Sequence, residues 1–334
     1  MPQPLAINVG FAGSPAERQQ LIERVRVAED LGVHSAWVAE AWGRDAFTFL
    51  TELALKTSKI KLGTAIVNVF SRSPAVLAMT AAGIDELSGG RMILGLGSSG
   101  ANVIEHWHGV HFQKPLTRLK EYVEIINKIM RRQRLTYDGE IFQLRRGFIM
   151  QFAPVRDHIP IFIAAITPKS IRQIGEVADG WIPIYWPLER FDEGISTLME
   201  GAIARGRSRQ DVTVAPALGV FVTDGNEEAA RRAARQPIAF YVGRMGVFYY
   251  QMLQRNGFGE EVAAIRAAWE RRDSEGAVAA VSDRMLESTT IVGSADECRD
   301  KIQERVRAGV DLPLINLPGS DPVDTGRMLE RLMR

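Results

Sequence analysis

The chain has 334 residues, of which 46% are hydrophobic and 24% are charged, and its formal net charge is +1. These values are typical of a globular protein with one large domain or two ordinary ones, and they give no support for a nucleic-acid or membrane partner. Cys298 is the single cysteine, which excludes an internal disulfide bond. Because no stretch reaches transmembrane length and the amino terminus lacks a signal-peptide pattern, we expect a cytoplasmic protein.

Strand-like and helix-like segments alternate through the first 130 residues. Buried strands are predicted at residues 5–9, 35–39, 61–67 and 92–96, because these runs are short and apolar. The helices that follow the first and third strands begin at Ser14-Pro15 and Ser73-Pro74, where a serine N-cap precedes a proline at the first helical position. The short links between these elements imply right-handed parallel crossovers.

The same alternation returns after residue 158. Four more strands are predicted at residues 161–166, 181–185, 212–222 and 312–317. Two insertions interrupt the pattern: a small hairpin excursion at about 134–158, after the fourth unit, and a helical insertion at about 226–285, before the last strand. Eight strands with intervening helices predict a single (β/α)8 TIM-barrel domain over residues 1–334.

The fourth strand opens directly into the loop Gly97–Gly100, GSSG. Glycines at a strand's carboxyl end let backbone approach a ligand closely, and a β/α barrel builds its active site at that end. Gly95, Gly97 and Gly100 also spell the dinucleotide fingerprint GxGxxG. That interpretation needs a helix at the third glycine and then a second strand ending in an acid. We predict instead a loop through residues 101–112, followed by a helix.

The turn after the fifth strand, AAITPKS at residues 164–170, is the best local anion site. With Thr167 as N-cap and Pro168 in the first turn, the amides of Lys169 and Ser170 are expected to be free for a phosphate. The alternative is an ordinary capped helix.

The loop after the second strand presents Glu40, Trp42, Arg44 and Asp45. Acidic and aromatic side chains at this end of a strand suit proton transfer and stacking. The alternative is a solvated loop that merely pairs Arg44 with Asp45, but the position at a strand's carboxyl end favours a functional role.

Three of the five histidines, His106, His108 and His111, lie in the segment HWHGVH. No second group of ligands accompanies them, so we expect no metal site. A histidine that lines the pocket as a proton donor is the better hypothesis, and the sequence does not separate His106 from His108. At the sixth strand, Trp181, Tyr185 and Trp186 could stack on a planar ligand; Trp181 suits the core and Trp186 is the better pocket candidate.

The chain resembles the luciferase-like oxidoreductases, and within them the branch that uses the deazaflavin coenzyme F420, including the methylenetetrahydromethanopterin reductases. The segments that carry the resemblance are AEDLGVHSAWVAEAWGRDAF, SRSPAVLAMTAAGIDELSGGRMILGLG, IPIFIAAITPKSIRQIGEVADGWIPI and TIVGSADECRDKI. It covers nearly the whole chain, and it implies the barrel fold, coenzyme F420 (with FMN as the alternative cofactor) and a homodimer.

The resemblance also implies where the cofactor lies. A bulge with a non-proline cis peptide bond behind the ring falls near Ala65–Ile66. The implied cofactor-binding residues are Glu40, Ala65, Ile66, Asn68, Gly97, Ser98, Ser99, Ala165, Ile166, Thr167, Pro168, Lys169 and Ser170. The acid that the methanopterin reductases carry at the end of the first strand is missing here, because Gly10 or Phe11 occupies its place.

We therefore expect a hydride transfer between F420 and a small organic substrate. Glu40 and His108 are the candidate catalytic residues, and Phe11, Trp42 and Trp186 are the candidate substrate-pocket residues. The alternatives are an FMN-dependent luciferase-like monooxygenase and, in a different class, a barrel that binds a flavin or deazaflavin without turnover.

Overall fold

The computed structural model describes residues 3–223, 225–319 and 321–334. The strands in this part of the chain are β1 (Ala6–Asn8), β2 (Ser35–Val38), β3 (Lys61–Thr64), β4 (Val67–Asn68), β5 (Met92–Gly97), β6 (Leu135–Asp138), β7 (Gln143–Phe148), β8 (Ile161–Ile163), β9 (Gly180–Trp181), β10 (Thr213–Val214), β11 (Ala217–Val222), β12 (Ile291–Gly293) and β13 (Leu314–Asn316).

The helices are α1 (Pro15–Asp30), α2 (Ala46–Lys56), α3 (Pro74–Ser88), α4 (Ala101–His106), α5 (Pro115–Met130), α6 (Pro168–Val177), α7 (Phe191–Ile203), α8 (Glu227–Arg244), α9 (Val247–Arg255), α10 (Gly259–Glu270), α11 (Ser274–Ala279), α12 (Asp283–Thr289), α13 (Ala295–Arg307) and α14 (Pro322–Met333). No helix among the described residues is long and apolar enough to cross a membrane.

The predicted α/β class with a parallel sheet is confirmed. The strands pair in the order β10, β9, β8, β5, β3, β2, β1, β13, β11, β12, and every one of these pairings is parallel. β10 is at one end of this order and β11 is next to the other end. Because only residues 215 and 216 separate these two strands in sequence, the two ends of the sheet lie close together. The amides of Ala215 and Ala217 donate to the carbonyls of Trp181 and Pro183, both at 2.8 Å. The sheet is therefore strongly curled.

The helix starts follow from the capping residues that the sequence shows. The Ser73 side chain accepts a hydrogen bond from the amide of Val76, and Pro74 begins α3. The same helix ends at Gly89, whose φ of +68° is the left-handed conformation that glycine adopts without steric cost. Such local signals explain why α1, α3 and α6 begin where the sequence predicts.

The predicted strand at residues 61–67 is divided. β3 ends at Thr64, a non-proline cis peptide bond joins Ala65 to Ile66, and β4 follows. The cis bond lies where the family resemblance implies it. The hairpin of β6 and β7 is antiparallel and falls within the excursion expected at 134–158.

Three elements differ from the sequence prediction. Helix α4 occupies part of the stretch predicted as a loop, and β12 and α14 were not predicted. Because α4 begins directly after Gly100, the expected absence of a helix at this glycine was wrong. The dinucleotide interpretation still fails, since the next element is the helix α5 and not a second parallel strand. The region 226–285 is helical, as predicted, but it is divided into α8–α12.

Candidate functional site

The carboxyl ends of the parallel strands lie at one end of the curled sheet, which we call the mouth. Apolar, mostly small side chains form its floor. Lower in the curled sheet, the rings of Trp37 and Phe162 lie 5.4 Å apart and fill the interior. Glycines make room for them: a Cβ at Gly63 would lie 2.5 Å from the Trp37 ring, and one at Gly180 would lie 2.3 Å from the Phe162 ring. Above this aromatic layer the half-buried residues are Ala65, Ile66, Ala164 and Ala217. The interior therefore ends in a shallow apolar surface.

Gly97 and Ile66 form one side of the floor. A Cβ at Gly97 would lie 2.8 Å from Ile66 Cδ1, so a glycine is needed for the close packing of Ile66. The Thr64 side chain fixes the strand below by donating to the Gly95 carbonyl at 2.7 Å and accepting from the Gly95 amide at 2.8 Å. These contacts join β3 and β5 directly beneath the mouth.

Glu40 is held by an arginine that the sequence analysis did not select. Its two carboxylate oxygens accept from the Arg72 guanidinium at 2.7 and 2.9 Å, and one also accepts from the Ala46 amide at 3.0 Å. Arg72 also pairs with Asp45. The hydrogen bond and charge of Glu40 raise the pKa of Arg72, although its burial opposes this. Glu40 is thus anchored between two loops, and Arg44, the partner expected for Asp45, instead donates to the Ala12 carbonyl.

The structure brings His108 and Asn68 together. Asn68 follows the cis peptide bond, is 2% exposed, and pairs with Gly97 across β4 and β5. Its side-chain nitrogen lies 3.3 Å from Nε2 of the half-buried His108. His106 and His111 are exposed, and His111 contacts Glu105. The geometry therefore favours His108 over His106 as the histidine of the mouth.

The loop after β5 borders the floor and contacts the helical insertion. Ser98 donates to the Ser99 carbonyl at 3.2 Å, and Ser99 has a φ of +59°, which is uncommon for a residue with a side chain. A Cβ at Gly100 would lie 3.6 Å from the carbonyl oxygen of Met245, at the end of α8. The insertion therefore approaches this edge of the mouth.

The turn before α6 forms a full capping box, which corrects one expectation. The Ser170 amide donates to Thr167 Oγ1 at 3.3 Å, and the Thr167 amide donates to Ser170 Oγ at 3.2 Å. The Ser170 amide is therefore occupied. The Lys169 amide makes no hydrogen bond among the described residues, and the Lys169 side chain is exposed. The turn retains one free amide and one cationic side chain for an anion.

Arg255 is a further cation at this turn. It ends α9 in the insertion, and its guanidinium contacts the carbonyl oxygen of Ile166 at 3.4 Å, a long hydrogen bond. It lies 89 residues from Ile166 in sequence, so no local pattern indicates the contact.

Trp181 lies in the core, as expected. Its ring nitrogen donates to the carbonyl oxygen of Ala165 at 2.8 Å.

The three residues predicted for the substrate pocket lie in different surroundings. Phe11 and Trp42 are 64% and 53% exposed, in the loops after β1 and β2. A Cβ at Gly43 would lie 3.6 Å from the Phe11 ring, so these loops are neighbours. Trp186 is buried against Trp181 at 5.3 Å and donates to the Arg190 carbonyl. This packing argues against a pocket role for Trp186.

Three tyrosines form an aromatic cluster, of which the sequence analysis named only Tyr185. The ring of Tyr241 lies 5.1 Å from that of Tyr185 and 4.9 Å from that of Tyr249, both edge to face. Tyr185 follows β9 and has a φ of +52°, whereas Tyr241 and Tyr249 come from α8 and α9. Burial, and then the neighbouring tyrosines, raise the pKa of Tyr185 well above its ordinary value. Burial also raises the pKa of Tyr241 and Tyr249, so all three hydroxyls are neutral near pH 7. No hydrogen bond among the described residues involves these hydroxyls.

The opposite end of the curled sheet has a different character. A depression of about 480 Å³ lies at the amino ends of the strands and is lined by His34, Lys61, His158 and Asp179 among others. Both ring nitrogens of His158 are hydrogen-bonded, Nδ1 to the Asn127 side chain and Nε2 to the Asp179 side chain, each at 3.0 Å. In β/α barrels this end serves stability rather than catalysis.

The chain belongs to the luciferase-like monooxygenase family, whose pattern matches residues 6–312. It is 32% identical to a putative coenzyme F420-dependent oxidoreductase of Mycobacterium tuberculosis, with 96% of each chain covered. It is 34% identical to the 5,10-methylenetetrahydromethanopterin reductase of Archaeoglobus fulgidus, with 86% of each covered. The solved coenzyme F420-dependent tetrahydromethanopterin reductase of Methanopyrus kandleri superposes with a TM-score of 0.85 at 25% identity, covering 98% of this chain and 97% of that one.

Proposed function

We propose that this protein is an F420-dependent oxidoreductase that transfers hydride between the deazaflavin and a small organic substrate. The observation that carries the proposal is the floor of the mouth, formed by Ala65, Ile66, Gly97, Ala164 and Ala217. An apolar floor made mainly of alanine and glycine suits a flat ring. The names of the Mycobacterium tuberculosis relative and of the solved Methanopyrus kandleri reductase, both of which specify coenzyme F420, support the deazaflavin over FMN.

We infer further that the strands close into a (β/α)8 barrel in a single domain, with α8–α12 as a helical insertion at the mouth. The hydrogen bonds from Ala215 and Ala217 to the sixth strand support closure, because they join β9 to the segment that continues into β11. The contact of Gly100 with Met245 and that of Ile166 with Arg255 support a position of α9 across the mouth.

The residues around the floor suit the parts of the cofactor. We assign Asn68, Ser98 and Ser99 to the ring, because Asn68 pairs with Gly97 and the two serines follow it, and Lys169, with its free amide, to the phosphate. When bound, the cofactor supplies the hydride donor or acceptor, while the protein orients the reactants and excludes water. Lys169 contributes a point charge to phosphate binding.

Glu40 is better suited to positioning than to proton transfer. Both of its oxygens are engaged by Arg72, and a bidentate pair of this kind holds a carboxylate in one orientation. We propose that the pair fixes the loops after β2 and β4 beside the ring. His108, which is half-buried at the mouth, is then the candidate for contact with the ligand.

Aromatic side chains contribute to the rim of the mouth. Phe11 and Trp42 are exposed in the loops after β1 and β2, and Tyr185, which follows β9, packs against Tyr241 and Tyr249 of the insertion. We propose that the substrate is an uncharged organic molecule with an apolar body, since aromatic walls favour such surfaces.

The test is a paired titration of the protein with coenzyme F420 and with FMN, followed by cofactor fluorescence. We expect tight binding of F420 and weak or no binding of FMN. Tight binding of FMN alone would contradict the proposal and support the monooxygenase alternative. Binding of neither cofactor would contradict both.

Two variants show whether the bound cofactor occupies the floor. Ala164→Leu fills the floor and should weaken F420 binding at least tenfold, whereas Val155→Leu, at an exposed position after the hairpin, should leave it unchanged. Melting temperatures confirm that both variants are folded. Stoichiometric F420 binding without reduction of any carbonyl, imine or enoate substrate would support the non-catalytic alternative.

We also propose that the protein is a homodimer. The exposed face of α3 carries Val76, Met79 and Leu87 at helical spacing, and the exposed Leu55 lies on the neighbouring α2. An apolar stripe on packed helices suits a second copy of the same surface.

A further inference from the structure

The hydrogen bonds of Asn68 determine which way its amide group faces. The side-chain oxygen accepts from the amide of Phe70 at 2.9 Å and from the amide of Ser71 at 2.8 Å. Both partners are backbone donors, so only the oxygen of the side chain can satisfy them. The NH₂ group must therefore face Nε2 of His108, at 3.3 Å.

This orientation determines where His108 carries its proton. An amide NH₂ group donates hydrogen bonds and cannot accept them, so Nε2 must present a lone pair. A neutral imidazole with an unprotonated Nε2 carries its proton on Nδ1. An imidazolium would place an N–H group against the N–H of Asn68, and the contact would be lost.

We propose that Asn68 is a positioning residue that holds His108 as the neutral Nδ1–H tautomer, so that His108 serves as a hydrogen-bond donor and not as an acid. Nδ1 makes no hydrogen bond among the described residues, which leaves this donor for an oxygen or nitrogen acceptor of a bound molecule. A neutral imidazole gives up its remaining proton only by forming an anion, and is therefore unsuited to protonate a substrate. Neutral histidines act in this electrophilic way in other enzymes.

The proposal replaces the proton-donor role expected for His108 with a different one. The role of the Nδ1–H group toward a bound ligand rests on the proposed function. The tautomer itself does not, because it is a property of the protein without cofactor. His108 can polarise an acceptor atom at the mouth while the proton of the reaction comes from another group or from water.

The experiment is nitrogen NMR of the cofactor-free protein labelled with ¹⁵N-histidine. The chain has five histidines. The two ¹⁵N signals of the His108 ring are identified as those that are absent from the spectrum of the His108→Gln variant. At pH 7.5 we expect a protonated Nδ1 and an unprotonated Nε2. A protonated Nε2, in either the other neutral tautomer or the imidazolium, would overturn the proposal.

Asn68→Asp tests whether Asn68 is the cause. Aspartate keeps an oxygen for the amides of Phe70 and Ser71 but replaces the NH₂ group by an acceptor. We expect the proton of His108 to move to Nε2, or both nitrogens to become protonated. An unchanged tautomer in a folded Asn68→Asp variant would also overturn the proposal.

His34 supplies the internal control. Its Nε2 lies 3.1 Å from Nζ of Lys61, which donates, so His34 should show the same Nδ1–H pattern in the wild type and in the variant. Because these spectra need no cofactor, failure of this inference is distinct from failure of the proposed function, which the F420 titration detects.

Discussion

His34 shows how burial of one side chain affects the stability of the molecule. It precedes β2, and its ring lies between Ser35 at 3.0 Å and Lys61 at 3.1 Å. Burial, and then the charge of Lys61, lower the pKa of His34 to about 4 from an ordinary value of 6.5. The unfolded chain therefore binds a proton at His34 between these two pH values, whereas the folded chain does not.

Acidification through this range should destabilise the protein. Stability rises with pH wherever the unfolded state binds more protons, so the contribution of His34 is complete above pH 6.5 and is lost as the pH falls towards 4. At pH 5 the full shift corresponds to a loss of about 2 kcal/mol, and because solvent screens this partly exposed ring we expect a loss of about 1 kcal/mol. The measurement is urea unfolding of the wild type and His34→Gln at pH 7.5 and pH 5, where the variant should lose less stability.

The matched control is His111→Gln, since the His111 side chain is 77% exposed. Its unfolding should depend on pH as that of the wild type does. An equal loss of stability in the wild type and His34→Gln would contradict the assigned shift of the His34 pKa.

At the scale of elements, the capping box of α6 limits what its N-terminus offers to a ligand. Thr167 and Ser170 satisfy each other's amides, which stabilises the helix but leaves fewer donors for an anion. Under the proposed function, the charge of Lys169 must therefore contribute more to phosphate binding than it would at a helix N-terminus whose amides are all free.

Lys169→Gln should weaken the binding of F420 by about three- to tenfold, as expected for the loss of one charge-assisted contact. Binding of a deazaflavin riboside without the phosphate should be unaffected, because the lost contact is with the phosphate. Fluorescence titration measures both affinities. Lys120→Gln, on α5, is the control variant and should bind both ligands like the wild type. An equal loss for the two ligands would show that Lys169 acts on folding or on the ring.

At the scale of the whole molecule, the apolar stripe of α3 predicts the state of assembly. Met79 and Leu87 are 48% and 52% exposed, and burial of such groups between two copies gains roughly 25 cal/mol per Å² of apolar surface. The double variant Met79→Glu/Leu87→Glu should be a monomer, because paired glutamates at a self-complementary surface repel each other.

Light scattering coupled to size-exclusion chromatography gives the mass directly. Ile203→Glu, which changes a 67% exposed residue on α7, should leave the dimer intact. A wild-type mass of about 37 kDa, that of one chain, would reject the proposed dimer.

Local signals explain most of what could be predicted from the sequence. N-cap serines and threonines beside prolines located α1, α3 and α6, and short apolar runs located the eight strand segments, because capping and patterning act within a few residues. Helix α4 was missed because its only start signal is Gly100, a weak N-cap without a side-chain hydrogen bond. The short strand β12 lacks a clear turn before it and was not recognised.

The sequence by itself determined the alternation of strands and helices, the capped helix starts, the glycine-rich loop after the fourth strand and the resemblance to the family. Only the tertiary structure decided the contacts of the site. The contacting residues are far apart in sequence: 32 residues separate Arg72 from Glu40, 40 separate Asn68 from His108, and 89 separate Arg255 from Ile166. The physical reason is that capping and periodicity depend on neighbouring residues, whereas these contacts exist only after the curled sheet has brought distant loops to one edge.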